Sequence, residues 1–350
     1  MSTKYKIGIW GQFGNGGPIA DGQAVRTTII TGELKARYGE KNICVANTNN
    51  WRRHPFSFFF KTLGLLKKAG KVVIFPADNG FKIVVPLYNF FNKFFKKKLY
   101  YVVIGGFLPE LLLKKPKYLK MLKKYEALFV QTVNLKSDLE KIGLSNIHLL
   151  SNLKRLDTVK AEEIAICKEE KIKVCTLSRV VEEKGIEYAI EAVKKANETL
   201  GGELIHLDIF GIIADRYKER FEQLMADHSS IASYGGVLKF DRTTETLRNY
   251  FAMLFPTFYY GEGFPGNVVD AYNAGLPIIA TDWLYNKDVI NNGENGFLVP
   301  IQDADALCAA LLKLYENREL QYQIALNNIE TAMQYTPEKV LAEFYSFMDQ

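Results

Sequence analysis

The apolar positions of this chain fall into two alternating patterns. Short runs rich in β-branched and aromatic residues occur at Lys6–Gly11, Asn42–Ala46, Lys71–Pro76, Tyr100–Gly105, Ala127–Thr132 and Ile147–Ser151. Compact runs bounded by turn residues predict buried strands. Between them, stretches such as Leu108–Lys124 and Leu135–Ile142 place apolar residues three and four apart and predict helices. A Gly-rich loop at Gly11–Gly22 leads from the first run into a helix reaching about Tyr38. Strands spaced by helices imply βαβ units and a parallel, doubly wound sheet.

A charged linker at roughly 156–170 precedes a second series of the same kind. Its predicted strands are Ile172–Leu177, Ile205–Phe210, Ile231–Tyr234, Met253–Pro256, Pro277–Ala280 and Phe297–Val299. Its predicted helices are Gly185–Thr199, Arg216–Ala226, Thr244–Tyr250, Gly266–Ala274, Ala304–Tyr315 and Leu320–Met333. A last helix, Pro337–Met348, has Pro in its first turn and Thr336 as N-cap. At roughly 150 residues per domain, 350 residues make two domains, drawn here at 1–155 and 156–333, with 334–350 as a terminal helix. Ligands of doubly wound sheets bind beyond the carboxyl ends of the strands, so two such domains facing each other would form a cleft.

Composition narrows the class. With 48% hydrophobic and 24% charged residues the chain is neither disordered nor fibrous. No apolar run approaches the roughly 20 residues of a membrane-spanning helix. The start runs directly into a strand without a signal-peptide core, and Cys44, Cys167, Cys175 and Cys308 are scattered without a CxxC pair. A reducing cytoplasm is therefore the expected location, with no disulfide framework or structural zinc.

The net charge of +6 conceals a split. Residues 1–150 carry 25 Lys+Arg against 8 Asp+Glu (+17), and residues 151–350 carry 20 against 31 (−11). The positive clusters at Arg52-Arg53, Lys67-Lys68-Lys71, Lys93 with Lys96-Lys97-Lys98, and Lys114 to Lys124 are interleaved with Phe56, Phe58-Phe59-Phe60, Phe90-Phe91 and Phe94-Phe95. Basic stretches beside Phe and Leu suit peripheral contact with an anionic membrane surface, expected at the inner face of the cell membrane, with a soluble basic face whose aromatics are core as the plainer alternative. Nucleic acid is not expected as a partner, because no RNP motif, helix-turn-helix or zinc finger accompanies the charge.

The most informative stretch runs from Pro256 to Thr281. A strand ends at Pro256, a Gly-rich loop carries Glu262, a helix begins near Gly266 or Asn267, and Asp270 lies one turn inside it. Free N–H groups at a helix start can hold an anion or sugar hydroxyls. Glu262 and Asp270 should stand on the order of 10 Å apart. That spacing suits different parts of one extended ligand better than a retaining glycosidase pair, with a solvated helix acid and a loop acid as the plainer alternative. In the first domain, Gly14-Asn-Gly-Gly17 follows a strand and precedes a helix, a setting that can present N–H groups to phosphate. It fits neither GxGxxG nor GxxxxGK[ST], which disfavours an NAD site or a P-loop.

The stretch Glu262-Gly-Phe-Pro-Gly-Asn-Val-Val-Asp270, followed by Ala271, Gly275, Pro277 and Ile278-Ile279-Ala280-Thr281, resembles the donor-site signature of family-4 retaining glycosyltransferases of the GT-B fold. Their pattern is E-x7-E within "EGFG/EGFP…EAxAxGxPVIAT". Leu177-Ser-Arg-Val-Val-Glu-Glu-Lys-Gly-Ile186 resembles the same family's "GRLxxEKG" segment, and Asn292-Gly-Glu-Asn-Gly-Phe-Leu-Val299 is a weaker match. The resemblance spans roughly 171–300 and implies two Rossmann-like domains, the first binding the acceptor and the second a nucleotide-sugar. It also implies that the terminal helix crosses back to the first domain.

The resemblance makes Arg179, Lys184 and Gly16 the contacts to the donor diphosphate. It makes Glu262 the catalytic residue facing the donor sugar. Gly263, Phe264, Pro265, Gly266, Asn267, Val268 and Asp270 would hold the sugar and nucleotide, with Asp270 on the ribose hydroxyls where relatives carry Glu. An Arg fork and a Lys point charge can neutralise a diphosphate, so neither metal nor cofactor is expected. Relatives often carry a His near the reacting carbon; Gly105-Gly106 stand there, and of His54, His148, His206 and His228 only His54 lies where an acceptor phosphate could meet it. The implied activity is sugar transfer from a nucleotide-diphospho-sugar, UDP-linked for preference, to a lipid-linked glycan in bacterial surface-polysaccharide synthesis. The alternatives are an inactive subunit of the same fold and a nucleotide-sugar epimerase.

Overall fold

The computed structural model describes residues 4–13, 22–49, 51, 53–155 and 159–350. The chain divides into two compact units, Met1–Leu153 with Pro337–Gln350, and Lys154–Thr336.

The first unit contains β1 (Tyr5–Gly11), α1 (Gly22–Tyr38), β2 (Ile43–Asn47), α2 (Pro55–Lys68), β3 (Ala69–Ile74), α3 (Asp78–Phe95), β4 (Lys98–Val102), α4 (Leu108–Lys114), α5 (Lys117–Leu122), β5 (Ala127–Val130), α6 (Val133–Lys141) and β6 (Ile147–Leu149). The second contains β7 (Ile172–Leu177), α7 (Ile186–Leu200), β8 (Ile205–Phe210), α8 (Lys218–Asp227), β9 (Ala232–Gly236), α9 (Thr243–Leu247), β10 (Ala252–Phe255), α10 (Gly266–Asn273), β11 (Ile278–Thr281), β12 (Gly296–Val299), α11 (Ala304–Glu316) and α12 (Arg318–Ala332). The chain ends with α13 (Pro337–Val340) and α14 (Ala342–Asp349), which belong to the first unit.

Each unit is a six-stranded sheet, ordered β2-β1-β3-β4-β5-β6 in the first and β12-β11-β10-β7-β8-β9 in the second. Every strand pairing among the described residues is parallel. Parallel sheets are covered on both faces, which explains why the strands read as continuous apolar runs rather than alternating ones. Ile7, Ile9, Val73, Phe75, Tyr100, Val102 and Phe129 build one core, and Val174, Leu207, Ile209, Leu254 and Ile279 with α7 and α11 build the other. The α/β, doubly wound expectation therefore holds.

The structure departs from the predicted elements at three places. The helix expected over Leu108–Lys124 is interrupted between α4 and α5, where Pro116 lacks the N–H that a continuous helix requires. The last helix is divided at Leu341, although Leu341 N–H still donates to the Pro337 carbonyl (2.9 Å) and its own carbonyl accepts from Tyr345 (2.8 Å). Helices α2 and α3 occupy the Phe- and Lys-rich stretches, where apolar residues on both sides blur the period. Their inner faces are fixed by Leu65, Leu66, Phe81, Val84, Val85 and Tyr88, all buried. Trp10 Nε1 donates to Thr62 Oγ1 (3.0 Å), and Tyr88 donates its hydroxyl to the Thr62 carbonyl (3.1 Å).

The terminal helix is a structural part of the first unit. Leu341, Phe344 and Met348 are fully buried, and the Phe344 ring meets Phe129 edge to face at 4.9 Å. Lys71, itself buried, donates to the carbonyls of Met348 (2.7 Å) and Phe347 (3.2 Å), placing a cation at the negative end of α14.

Candidate functional site

In the second unit the chain runs outward through β7, β8 and β9, then returns to the other side of β7 to form β10, β11 and β12. The switch point therefore lies between β7 and β10, which are neighbours, and this is where open α/β sheets bind ligands. The two conspicuous loops of the sequence leave the carboxyl ends of those two strands.

The loop after β7 turns through Glu182–Lys184 and closes on Gly185, whose φ is +74°. A Cβ at Gly185 would fall 2.1 Å from the Pro256 carbonyl, so only Gly lets this turn press against the end of β10. The two loops are also joined by Phe258 N–H donating to the Glu183 carbonyl (2.9 Å). At the neighbouring strand, Gly211 (φ +140°) takes the same kind of close approach, where a Cβ would meet the Ser178 carbonyl at 1.6 Å.

This packing brings Lys184 and Glu262 together. Lys184 Nζ donates to Glu262 Oε2 in a buried ion pair, and both side chains are only 9% exposed. Thr257 Oγ1 donates to the same carboxylate oxygen (2.9 Å), and the Thr257 carbonyl accepts from Thr281 Oγ1. Lys184 Nζ also lies over the rings of Phe255 (5.3 Å) and Tyr259 (5.2 Å). Arg179 is exposed and stacks its guanidinium over Tyr259 at 5.3 Å, without an ion pair among the described residues. Tyr259 is fixed by Trp283 Nε1, which donates to its carbonyl (2.9 Å). One Arg and one Lys thus share an aromatic platform beside a buried carboxylate.

The rest of the loop carries its expected residues in two ways. Gly263 and Pro265 are buried, and Pro265 stands at the N-cap of α10. Phe264 and Val268 are core side chains, with the Phe264 ring edge-on to Tyr335 at 5.0 Å, so only their backbone could serve a ligand. Gly266 is exposed at the first position of α10. Asn267 donates through Nδ2 to the Leu177 carbonyl, tying the start of α10 to the end of β7, while its Oδ1 is buried and finds no partner among the described residues.

Asp270 is buried and ion-paired with Lys154. Burial pushes its carboxyl above the ordinary Asp value, and the charge and hydrogen bond of Lys154 pull it back only in part. Lys154 is held by its own N–H on the Tyr335 carbonyl (3.2 Å) and by Nζ near the Phe240 carbonyl (3.4 Å). The solvated-acid alternatives for Glu262 and Asp270 do not describe these side chains. The sequence does not single out Lys154, Thr257 or Tyr259: Lys154 lies 116 residues from Asp270, and Thr257 and Tyr259 precede the pattern that begins at Glu262.

Gly16 and the rest of Gly14–Gly17 lie outside the described residues. Among the His residues, His148 meets Glu343 (2.6 Å), His206 in β8 meets Ser233 (3.0 Å), and His54 precedes α2. Among the described residues no cluster of three or more His, Cys, Asp or Glu could hold a metal, and no helix is long and apolar enough to cross a membrane.

Comparison with known proteins agrees with this architecture. Residues 160–331 match the family model described as glycosyl transferases group 1. EpsD of Bacillus subtilis, described as a glycosyltransferase, is 34% identical over 92 residues, covering 25% of this chain and 24% of EpsD. A Klebsiella pneumoniae protein encoded in a cps region is 28% identical over 174 residues, covering 47% of this chain and 44% of that one. The matched region therefore spans about a quarter of the first relative and under half of the second. The crystal structure of Anabaena HepE with UDP and glucose superposes with a TM-score of 0.77 at 12% identity, over 99% of both chains. Residues 160–331 thus carry the sequence pattern of the group 1 glycosyl transferases, and the fold of the chain is GT-B.

Proposed function

We propose that the protein is a retaining, metal-independent hexosyltransferase that moves a sugar from a UDP-sugar to a lipid-linked glycan during polysaccharide synthesis. The observation that carries this reading is the Arg179–Tyr259–Lys184–Glu262 cluster at the sheet's switch point, next to the start of α10. The nucleotide class draws on the UDP bound in HepE, and the pathway on the cps-region relative. The acceptor side is assigned to the basic first unit, at the cytoplasmic face of a membrane.

In this reading the donor diphosphate lies against Arg179 and Lys184, with backbone N–H groups of Gly263 to Asn267 adding donors, except at Pro265. A fork and a point charge supply the neutralisation that developing phosphate charge requires, and the positive end of α10 adds to it. The acceptor hydroxyl bonds to the anomeric carbon on the face from which the diphosphate departs. The C–O bond to the β-phosphate breaks, and the acceptor proton passes to the leaving phosphate. No enzymic nucleophile is needed. Glu262 orients the sugar, and its pairing with Lys184 and Thr257 fixes its rotamer beforehand. Asp270 takes the ribose hydroxyls, its charge balanced by Lys154.

The test is turnover of individual UDP-sugars in the presence of a membrane lipid extract, with the anomeric configuration of the product read by NMR. One UDP-sugar should be consumed with retention, and Glu262→Gln should lower kcat by on the order of a hundredfold or more while UDP affinity changes little. An inverted product, or normal turnover in Glu262→Gln, would overturn the assignment.

A further inference from the structure

The outer faces of α2 and α3 carry an aromatic surface that no described residue covers. Phe56, Phe60, Phe90 and Phe94 are 79%, 69%, 56% and 74% exposed. Their inner neighbours Leu65, Leu66, Val84 and Tyr88 are buried, so the two helices are seated on their sheet and the outer rings are not displaced core. Edge-to-face contacts link Phe60 to Phe59 (5.8 Å), Phe59 to Phe91 (6.0 Å), Phe91 to Phe90 (5.1 Å) and Phe90 to Phe94 (6.3 Å), which joins both helices into one patch. Soluble surfaces rarely expose contiguous apolar area of this kind without a partner.

The surrounding charge identifies the occupant. From Lys41 to Pro109 the sequence holds 12 Lys and Arg and a single acid, Asp78. Asp78 is ion-paired with Lys82 on its own helix (2.8 Å). Lys61, Lys67, Lys68, Lys93 and Lys96 are exposed around the rings, and none forms an ion pair among the described residues. We propose that this α2–α3 face docks on an anionic phospholipid bilayer, with Phe56, Phe60, Phe90 and Phe94 entering the headgroup–acyl boundary and the lysines meeting lipid phosphates. The proposal rests on the reading of a membrane-presented acceptor and turns that reading into a specific inserted surface. A merely electrostatic contact would leave the rings in water, whereas insertion makes them the larger contribution.

Sedimentation of the full chain with phosphatidylcholine vesicles, with and without phosphatidylglycerol, tests this. The wild type should bind only the phosphatidylglycerol vesicles. Phe60→Ser/Phe94→Ser should weaken that binding on the order of a hundredfold, at roughly tenfold per ring withdrawn. Lys67→Gln/Lys96→Gln should weaken it less and flatten its salt dependence. In Phe94→Trp, added vesicles should shift the emission of the new indole to the blue. A wild type that stays in the supernatant, a Phe double variant that binds normally, or an indole emission that does not move in Phe94→Trp would overturn the proposal. So would a vesicle-free dimer that the Phe substitutions dissociate, because the occupant would then be a second copy. UDP-induced stabilisation, measured on the same samples, should be unchanged in the Phe double variant. Its absence alongside vesicle binding would count against the donor site and leave this surface standing.

Discussion

Lys184 and Glu262 are 78 residues apart in the chain, yet they form a buried ion pair at the carboxyl ends of two adjacent parallel strands. The pair exists because Gly185 allows one loop to press against the end of β10. In the proposed function it also sets a constraint on donor binding, since Lys184 would serve the diphosphate and Glu262 together.

Removing one partner leaves the other charge buried without compensation, which costs about 3–5 kcal/mol. Lys184→Met and Glu262→Gln should each lower stability in urea unfolding, with Lys184→Met the more costly because it removes every donor the carboxylate had from that side, whereas the amide of Glu262→Gln can still accept from Lys184. The double variant should lose clearly less than the sum of the two. Additive losses would mean that the pair is not coupled as described.

Gly185→Ala and Gly211→Ala impose both an unfavourable positive φ and a collision with a carbonyl, at 2.1 Å from Pro256 and 1.6 Å from Ser178. Each should cost at least about 1–3 kcal/mol. Gly201→Ala, also at positive φ (+73°) but with open space around it, isolates the φ contribution and should cost less. Equal melting shifts for all three would refute the close-approach argument.

Asp208, inside β8, gives a pH prediction. Burial raises its carboxyl, but hydrogen bonds from Ser233, Tyr250 and Lys173 outweigh that and leave it below the ordinary Asp value. The fold therefore favours the ionised form. Its stabilisation is fully present above the ordinary Asp range, near about pH 4, and is lost as pH falls through the lower native value. The stability gap between wild type and Asp208→Asn should accordingly be constant near neutrality and shrink below about pH 4. A gap that does not change with pH would remove the charge from the explanation.

Deleting residues 337–350 withdraws Leu341, Phe344 and Met348 from the first unit's core. Each fully buried side chain of this kind contributes about 1.5–3 kcal/mol. The truncated chain should show a lower first unfolding transition and increased binding of a hydrophobic dye, with the second unit's transition little changed. An unaltered first transition would show that α14 is dispensable.

Much of the scaffold was legible in the sequence, because the strands of a parallel sheet are short continuous apolar runs that stand out locally. Ile172–Leu177 and Ile205–Phe210 appear in the structure with the boundaries read from their residues. Helices α2 and α3 were not legible, since Phe56, Phe60, Phe90 and Phe94 are as apolar as the core residues on the opposite face. Within the site, Glu262 and Asp270, and Lys184 in its own segment, stand in recognisable local patterns. That Lys184 pairs with Glu262 and Lys154 with Asp270 follows from how the chain folds, over separations of 78 and 116 residues that leave no spacing signal.

In the proposed function the loops at this switch point hold a nucleoside diphosphate. The most direct measurement is thermal unfolding with UDP, GDP and ADP, without added metal, for wild type and Arg179→Ala. Arg179 is exposed and unpaired among the described residues, so its removal should leave the fold intact. At a concentration of about 100 Kd, UDP should add about 2.7 kcal/mol to the stability of the wild type, with much less for GDP and ADP, and Arg179→Ala should lose most of that gain. Absence of stabilisation by any of the three nucleotides, or an equal response in Arg179→Ala, would contradict the account.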